Sequence, residues 1–209
     1  MTEDNIRYYW FAAMLREDDD LNHYTLEFPY KQLTLSTKDN LEKEELDLLY
    51  DNKSTDFFCF EMKFHRNNTE QTFAKTSAAG SIFNDLQRLQ QIANPSARRL
   101  FLYVTDSVMN EYLLLSKRQN KNDDYDKLLN IFYATNDPAD RDLSSTITEP
   151  TTFIDRANKS LNPNAIAGGQ NFHTLKIRLL HHNYINYTKE FEICSFKDRV
   201  CHVRLYEIL

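Results

Sequence analysis

Two carboxylates and an ammonium stand in otherwise apolar stretches of this 209-residue chain. Asp47 lies in Leu46-Asp47-Leu48-Leu49-Tyr50, and Glu61 and Lys63 lie in Phe57-Phe58-Cys59-Phe60-Glu61-Met62-Lys63-Phe64. Buried charge is costly unless it is paired or binds a metal. Like charges 4 Å apart cost about 4 kcal/mol at an effective dielectric near 20. Lys63 relieves part of that repulsion, and a divalent cation would relieve more. Mg²⁺ or Mn²⁺ takes oxygen ligands and keeps several waters. Asp47, Glu61 and the backbone carbonyl of Met62 could supply those oxygens. The matching reaction is phosphodiester hydrolysis, with Lys63 orienting or deprotonating the attacking water and neutralising charge in the transition state. The plain alternative is an exposed, salt-bridged strand face, worth under about 1 kcal/mol.

A hairpin over 46–50 and 57–64 would bring these groups together. A five-residue turn, Asn52 to Asp56, sets Asp47 opposite Glu61. One face then carries Leu46, Leu48, Tyr50, Phe58, Phe60, Met62 and Phe64; the other carries Asp47, Leu49, Cys59, Glu61 and Lys63. A one-residue slip would mix the two sets, so the pattern selects the register. Before the hairpin, residues 3–16 read as a helix with Ile6, Tyr9, Trp10, Ala13 and Met14 as its apolar stripe. Thr2 is a candidate cap, and Glu3 and Asp4 suit the helix dipole. Residues 23–36 carry a strand signal, with Pro29 marking an edge or an end. After it, a helix is expected over roughly 76–92, with Ile82, Phe83, Leu86, Leu89 and Ile92 buried and Pro95 ending it. Leu100–Val104 reads as a buried central strand. Helical stretches at about 107–118 and 124–133, an irregular insertion at 134–171, and strands at 173–180, 189–196 and 200–208 complete the expectation.

Composition bounds the rest. A 41% hydrophobic share supports a core, and 27% charged residues suit a soluble protein. The N-terminal Met-Thr-Glu-Asp-Asn has no basic stretch leading into an apolar one, so no signal peptide is expected. Three cysteines without CxxC spacing predict reduced thiols and a cytoplasmic location. The net charge of −6 argues against a generic nucleic-acid binder. The excess is local, however: residues 1–60 hold fourteen acids against six Lys and Arg. A DNA-cutting enzyme needs only a local basic groove, and Arg98-Arg99 and Lys117-Arg118 are too small to prove one.

Leu46-Asp47 and Glu61-Met62-Lys63, with thirteen residues between the acids, resemble the PD-(D/E)XK motif of the restriction endonuclease-like superfamily. Leu46 stands where the motif has proline. The order helix, strand, hairpin, helix, strand over residues 1–106 resembles that superfamily's αβββαβ core. The segments Phe64-His65-Arg66 and Gly80 to Leu89 look like bacterial members of uncharacterised function. The resemblance implies an α/β fold with a four-stranded mixed sheet at 1–106, carrying helical and β extensions at 107–209, all in one domain. It implies a Mg²⁺- or Mn²⁺-dependent nuclease acting on DNA in restriction, defence or DNA processing. Asp47 and Glu61 would be the metal-binding acids and Lys63 the catalytic lysine. Some members add an acid from the first helix, for which Glu3 is the candidate. A homodimer is plausible, since one such site cuts one strand. The other readings are a catalytically silent module of the same fold, binding nucleic acid or protein, and a phosphoesterase of small substrates.

Other residues have plain readings first. Asp85 and Arg88, one turn apart, read as a helix-surface or interhelix pair, with support of the site or a phosphate contact as the alternative. His65 and Arg66 read as a solvated strand end, with phosphate binding as the alternative. Cys59 would have neighbouring carboxylates that raise its pKa, which disfavours a nucleophile. His181-His182 lacks the spacing of a helical zinc site and reads as a surface strand end.

Overall fold

The computed structural model describes residues 3–34, 44–65, 81–82, 85–86, 88–107, 109–110, 145–147, 175–186 and 200–209. Helix α1 (Glu3–Met14) precedes strands β1 (Tyr24–Pro29), β2 (Glu45–Asp51) and β3 (Phe57–His65). Strands β4 (Ala97–Asp106), β5 (Ser145–Ile147), β6 (Leu175–Asn186) and β7 (Val200–Ile208) follow. The described positions between Ser81 and Gln90 are helical. Among the described residues, all strands join one mixed seven-stranded sheet in the order β1-β2-β3-β4-β7-β6-β5.

The expected four-stranded sheet is therefore too small. β4 does not end the sheet; it pairs antiparallel with β7, and β7 with β6. An interior strand such as β4 must satisfy backbone groups on both sides, and β7 supplies the second partner. β1, β2 and β3 are antiparallel neighbours, whereas β3 and β4 are parallel. A parallel pair needs a crossover, and the helical segment at 81–90 lies within it. The expected strand at 189–196 and helix at 124–133 lie outside the described residues. So does most of 107–118 and of 134–171, although β5 falls inside the latter.

The hairpin has the register that the alternation selects. Leu48 pairs with Phe60, Leu49 with Cys59 and Tyr50 with Phe58. The turn is held by the Asn52 side chain, whose Oδ1 accepts from the amides of Ser54, Thr55 and Asp56 at 3.0–3.1 Å. Leu48, Phe60, Met62, Leu100, Leu102 and Val104 form a buried core on one face of the sheet. Ile6, Trp10, Phe11 and Met14 of α1 pack against it. Trp10 meets Phe60 edge-on at 5.8 Å.

The stripe expected for α1 is thus displaced. Tyr9 and Ala13 face solvent, and Phe11 packs inward in their stead. Periodicity alone places Tyr9 on the stripe, but its 72% exposure shows that the helix is rotated. The rotation brings Arg7, rather than Tyr9, to the sheet. The opposite face of the sheet, bearing Glu61, Lys63, Phe101 and Tyr103, is covered near β3 by the segment of Ile82, Leu86 and Leu89, all fully buried. Among the described residues, no helix is long and apolar enough to cross a membrane.

Leu48 is completely buried beneath α1, so Leu48→Ala should destabilise the protein by about 2–5 kcal/mol through lost burial and the cavity left behind. Urea unfolding of both proteins measures this. A change below about 0.5 kcal/mol, typical of surface positions, would contradict the placement of α1 on β2.

Candidate active site

Asp47 occupies the one row where β2 loses its ladder on both sides. The pairing with β1 passes from Leu26↔Leu48 to Phe28↔Leu46 without a Glu27↔Asp47 pair. The pairing with β3 runs from Asp51↔Phe57 to Leu48↔Phe60 and stops short of Glu61. Glu27 has φ 55°, a left-handed backbone unusual for a non-glycine residue. The Asp47 carboxylate compensates: its Oδ2 accepts the Met62 amide at 2.6 Å. Its Oδ1 accepts from Arg7 Nη2 at 2.6 Å.

Further charged groups and a buried tyrosine complete the cluster. The Tyr30 hydroxyl, wholly buried, donates to Glu61 Oε1 at 2.6 Å. Arg88 lies between Asp85, Glu61 and Glu44, with Glu61 Oε1 at 3.6 Å. Lys63 Nζ lies 3.3 Å from both Glu3 Oε1 and Asp85 Oδ2. Glu3 also accepts the Phe64 amide at 3.3 Å. Arg7 reaches outward from Asp47 to Glu27 at 3.0 Å and Asp4 at 3.8 Å.

The exposed-face alternative is excluded, because Asp47 and Glu61 are only 7% and 3% exposed. Asp85 and Arg88 are likewise no surface pair: Asp85 is 3% exposed, and Arg88 turns inward to Glu61. Helical periodicity put them on a flanking face, but the segment lies over a charged row of the sheet. Glu3 is brought to the site. His65 is not a solvated strand end. It is buried beside Tyr103 and Ser81, and burial, with Lys63 nearby, pushes its imidazole down to about 3. It is neutral near pH 7 and brings no positive charge to a phosphate. Arg66 lies outside the described residues. Cys59 is buried, and its thiol is pushed up to about 12, as befits an inert side chain. Arg98 pairs with Glu207, and Arg99 bonds the carbonyls of Ile92 and Asn94, so this doublet is tied up locally.

Sequence reasoning missed Arg7, Tyr30 and Glu44. Arg7 carried a signal: it falls at i+4 from Glu3 and at i−4 from Phe11, on the face that proves to be buried. Tyr30 follows the Pro29 strand end and gave no pattern of its own.

The electrostatics follow from counting. Glu3, Asp47, Glu61 and Asp85 face the three cations Arg7, Lys63 and Arg88, while Glu27 and Glu44 sit at the more exposed margins. Burial, reinforced by Asp85, lifts the Glu61 carboxyl well above its ordinary range. Burial also raises Asp85, against the pull of Lys63 and Arg88. Burial works against the Lys63 ammonium, yet Asp85 and Glu3 more than offset it and raise its pKa. Lys63 is therefore a persistent cation here, suited to stabilising negative charge rather than to taking a proton.

The donor set is chemically right for a hard divalent ion: carboxylate oxygens with a surplus of negative charge. In this arrangement, however, both Asp47 oxygens and one Glu61 oxygen hold protein donors. Among the described residues, no group of three or more His, Cys, Asp and Glu converges as a metal site. Comparison with family models, curated proteins and solved structures returned no match.

The raised Glu61 carboxyl makes stability depend on pH with a definite sign. The folded state holds that proton more tightly than the unfolded chain. Its contribution is fully present below the ordinary glutamate value near 4.5 and is lost as pH rises through the folded value. Glu61→Gln should therefore flatten the decline in stability above about pH 4.5, followed by urea unfolding in EDTA. Parallel pH profiles for both proteins would contradict the buried environment assigned to Glu61.

Proposed function

We propose that this chain is a divalent-metal-dependent nuclease of the PD-(D/E)XK type, hydrolysing phosphodiester bonds, with DNA as the favoured substrate. The observation that carries this reading is the clustering of buried Asp47 and Glu61 with the part-buried Lys63 two residues along β3, joined by Glu3 from α1. The order α1, β1, β2, β3, helical segment, β4 supports it, being the order that the sequence resemblance implies, as does the mixed sheet, in which β3 and β4 run parallel. Buried ion clusters are poor stabilisers compared with apolar packing. Perturbed carboxylates beside a persistent ammonium are accordingly a functional signature.

In this reading Asp47 and Glu61, with the Met62 carbonyl, hold the ion. A bound Mg²⁺ or Mn²⁺ supplies Lewis-acid polarisation of the phosphoryl oxygen and acidifies water. Lys63 stabilises the charge that grows on the phosphoryl oxygens and orients the attacking water. Glu3 and Asp85 fix the Lys63 ammonium from two sides, so it is aimed without reorganising. Arg88 and Tyr30 hold Glu61 in place.

A second reading, a non-catalytic module binding nucleic acid or protein, is favoured by one observation: Asp47 and Glu61 are already engaged by Arg7, the Met62 amide and Tyr30. Such a module needs no divalent ion at these residues.

The test is cleavage of supercoiled plasmid, single-stranded DNA and RNA with Mg²⁺ or Mn²⁺. Cutting should vanish in EDTA and fall by about 10²–10⁴-fold in Lys63→Ala, the range for one positioned polar catalyst. Cutting that persists in Lys63→Ala would remove this site from the chemistry. Absence of cutting and of metal binding would favour the module.

A further inference from the structure

Arg7 stands where the proposed ion would need to be. Its Nη2 lies 2.6 Å from Asp47 Oδ1, a charge-assisted contact on the partly buried carboxylate. Asp47 cannot turn its other oxygen outward without releasing the Met62 amide. An ion can therefore reach Asp47 most directly at Oδ1, in exchange for the guanidinium.

The same side chain has somewhere else to go. Its Nη1 already lies 3.0 Å from Glu27 and 3.8 Å from Asp4, and both are exposed, at 61% and 69% of their side chains. Glu27 is set there by the left-handed backbone at φ 55°, which takes it out of the β1–β2 pairing. Such backbone strain in a strand is held only where the surroundings over-determine it. Buried Arg7 Nε has no hydrogen-bond partner among the described residues, so the guanidinium is held through its two Nη groups. Nη2 on Asp47 and Nη1 on Glu27 and Asp4 give the side chain a second set of acidic partners that it already touches.

We propose that Arg7 is an internal counter-cation that occupies the Asp47 ion position and yields it to a divalent cation by moving onto Glu27 and Asp4. This rests on reading Asp47 and Glu61 as metal ligands. It closes the Asp47 position in the free protein with a tethered cation, and makes ion entry an exchange of one cation for another rather than the filling of a preformed cage. The ion is retained only where it outcompetes a tethered guanidinium, which sets a threshold concentration for loading the site.

The experiment is a calorimetric Mn²⁺ titration of the full-length protein and its Arg7→Gln, Glu27→Gln and Asp47→Asn forms. It is paired with the Arg7 Nε–Hε signal in ¹⁵N NMR during a Mg²⁺ titration. Asp47→Asn should abolish binding. Arg7→Gln should bind Mn²⁺ at least about tenfold more tightly, the scale for removing a competing cation from a partly buried carboxylate. Glu27→Gln, changed at an exposed residue with little risk to folding, should bind more weakly, because Arg7 loses its alternative partner. The Arg7 signal should move on Mg²⁺ addition in the parent protein and stay fixed in Asp47→Asn. Asp47-dependent Mn²⁺ binding with a stationary Arg7 signal, or unchanged in Arg7→Gln, would overturn the exchange while leaving the nuclease reading intact. No Mn²⁺ binding in either the parent or Arg7→Gln would overturn both.

Discussion

Asp47 takes the Met62 amide on one oxygen and the Arg7 guanidinium on the other, at 2.6 Å each. Around this carboxylate β2 gives up regular pairing with both neighbours. A buried backbone amide left without an acceptor would cost roughly 1–3 kcal/mol. The side chain that interrupts the ladder therefore also repairs it. The consequence is rigidity at one row of the sheet. Glu61 follows in β3, Lys63 lies two residues on, and α1 is pinned over the sheet by Arg7. Every other member of the cluster is placed relative to these groups.

The cluster sits between two apolar layers. The α1 layer, with Trp10, Leu48, Phe60 and Met62, covers one face. Ile82, Leu86 and Leu89 lie over the other. These layers exclude water from the carboxylates, and that exclusion lifts Glu61 and Asp85. The same low polarity strengthens each attraction to Lys63 and Arg88. Among the described residues, four acids against three nearby cations leave the balance negative, which favours a further cation or a proton. Packing and electrostatics are thus one design, because the core that stabilises the fold creates the demand for charge.

Much of this was legible in the chain. The hairpin register followed from a period of two over Leu46–Tyr50 and Phe57–Phe64, since only one alignment keeps charged and apolar sets apart. Asn52 at the turn and the apolar run at Leu100–Val104 were equally plain. The missing parts depend on contacts distant in sequence. Tyr30 meets Glu61 across thirty-one positions, and no local pattern encodes that. The rotation of α1 depended on whether Tyr9 or Phe11 packs better on β2 and β3, which composition does not decide. Asp85 and Arg88 read as surface residues because helical periodicity assumes an apolar target, whereas the sheet offered Glu61 and Lys63. The sheet's growth beyond four strands came from β7, β6 and β5. The strand character of β6 and β7 could be seen, but not the pairing of β7 with β4, and β5 fell in the segment expected to be irregular.

The left-handed turn of the chain at Glu27 has an effect beyond Arg7. Among the described residues, β1 is the outermost strand on its side of the sheet, and such strands expose unpaired amides and carbonyls to any passing extended chain. β1 is six residues long, ends in a proline that lacks an amide hydrogen, and is kinked out of regular extension at Glu27. A strand arriving from another molecule would find no uninterrupted run of hydrogen-bonding groups there, and would meet an exposed carboxylate at the kink. The irregularity that shapes the neighbourhood of Asp47 thus also guards the margin of the sheet against unwanted strand addition.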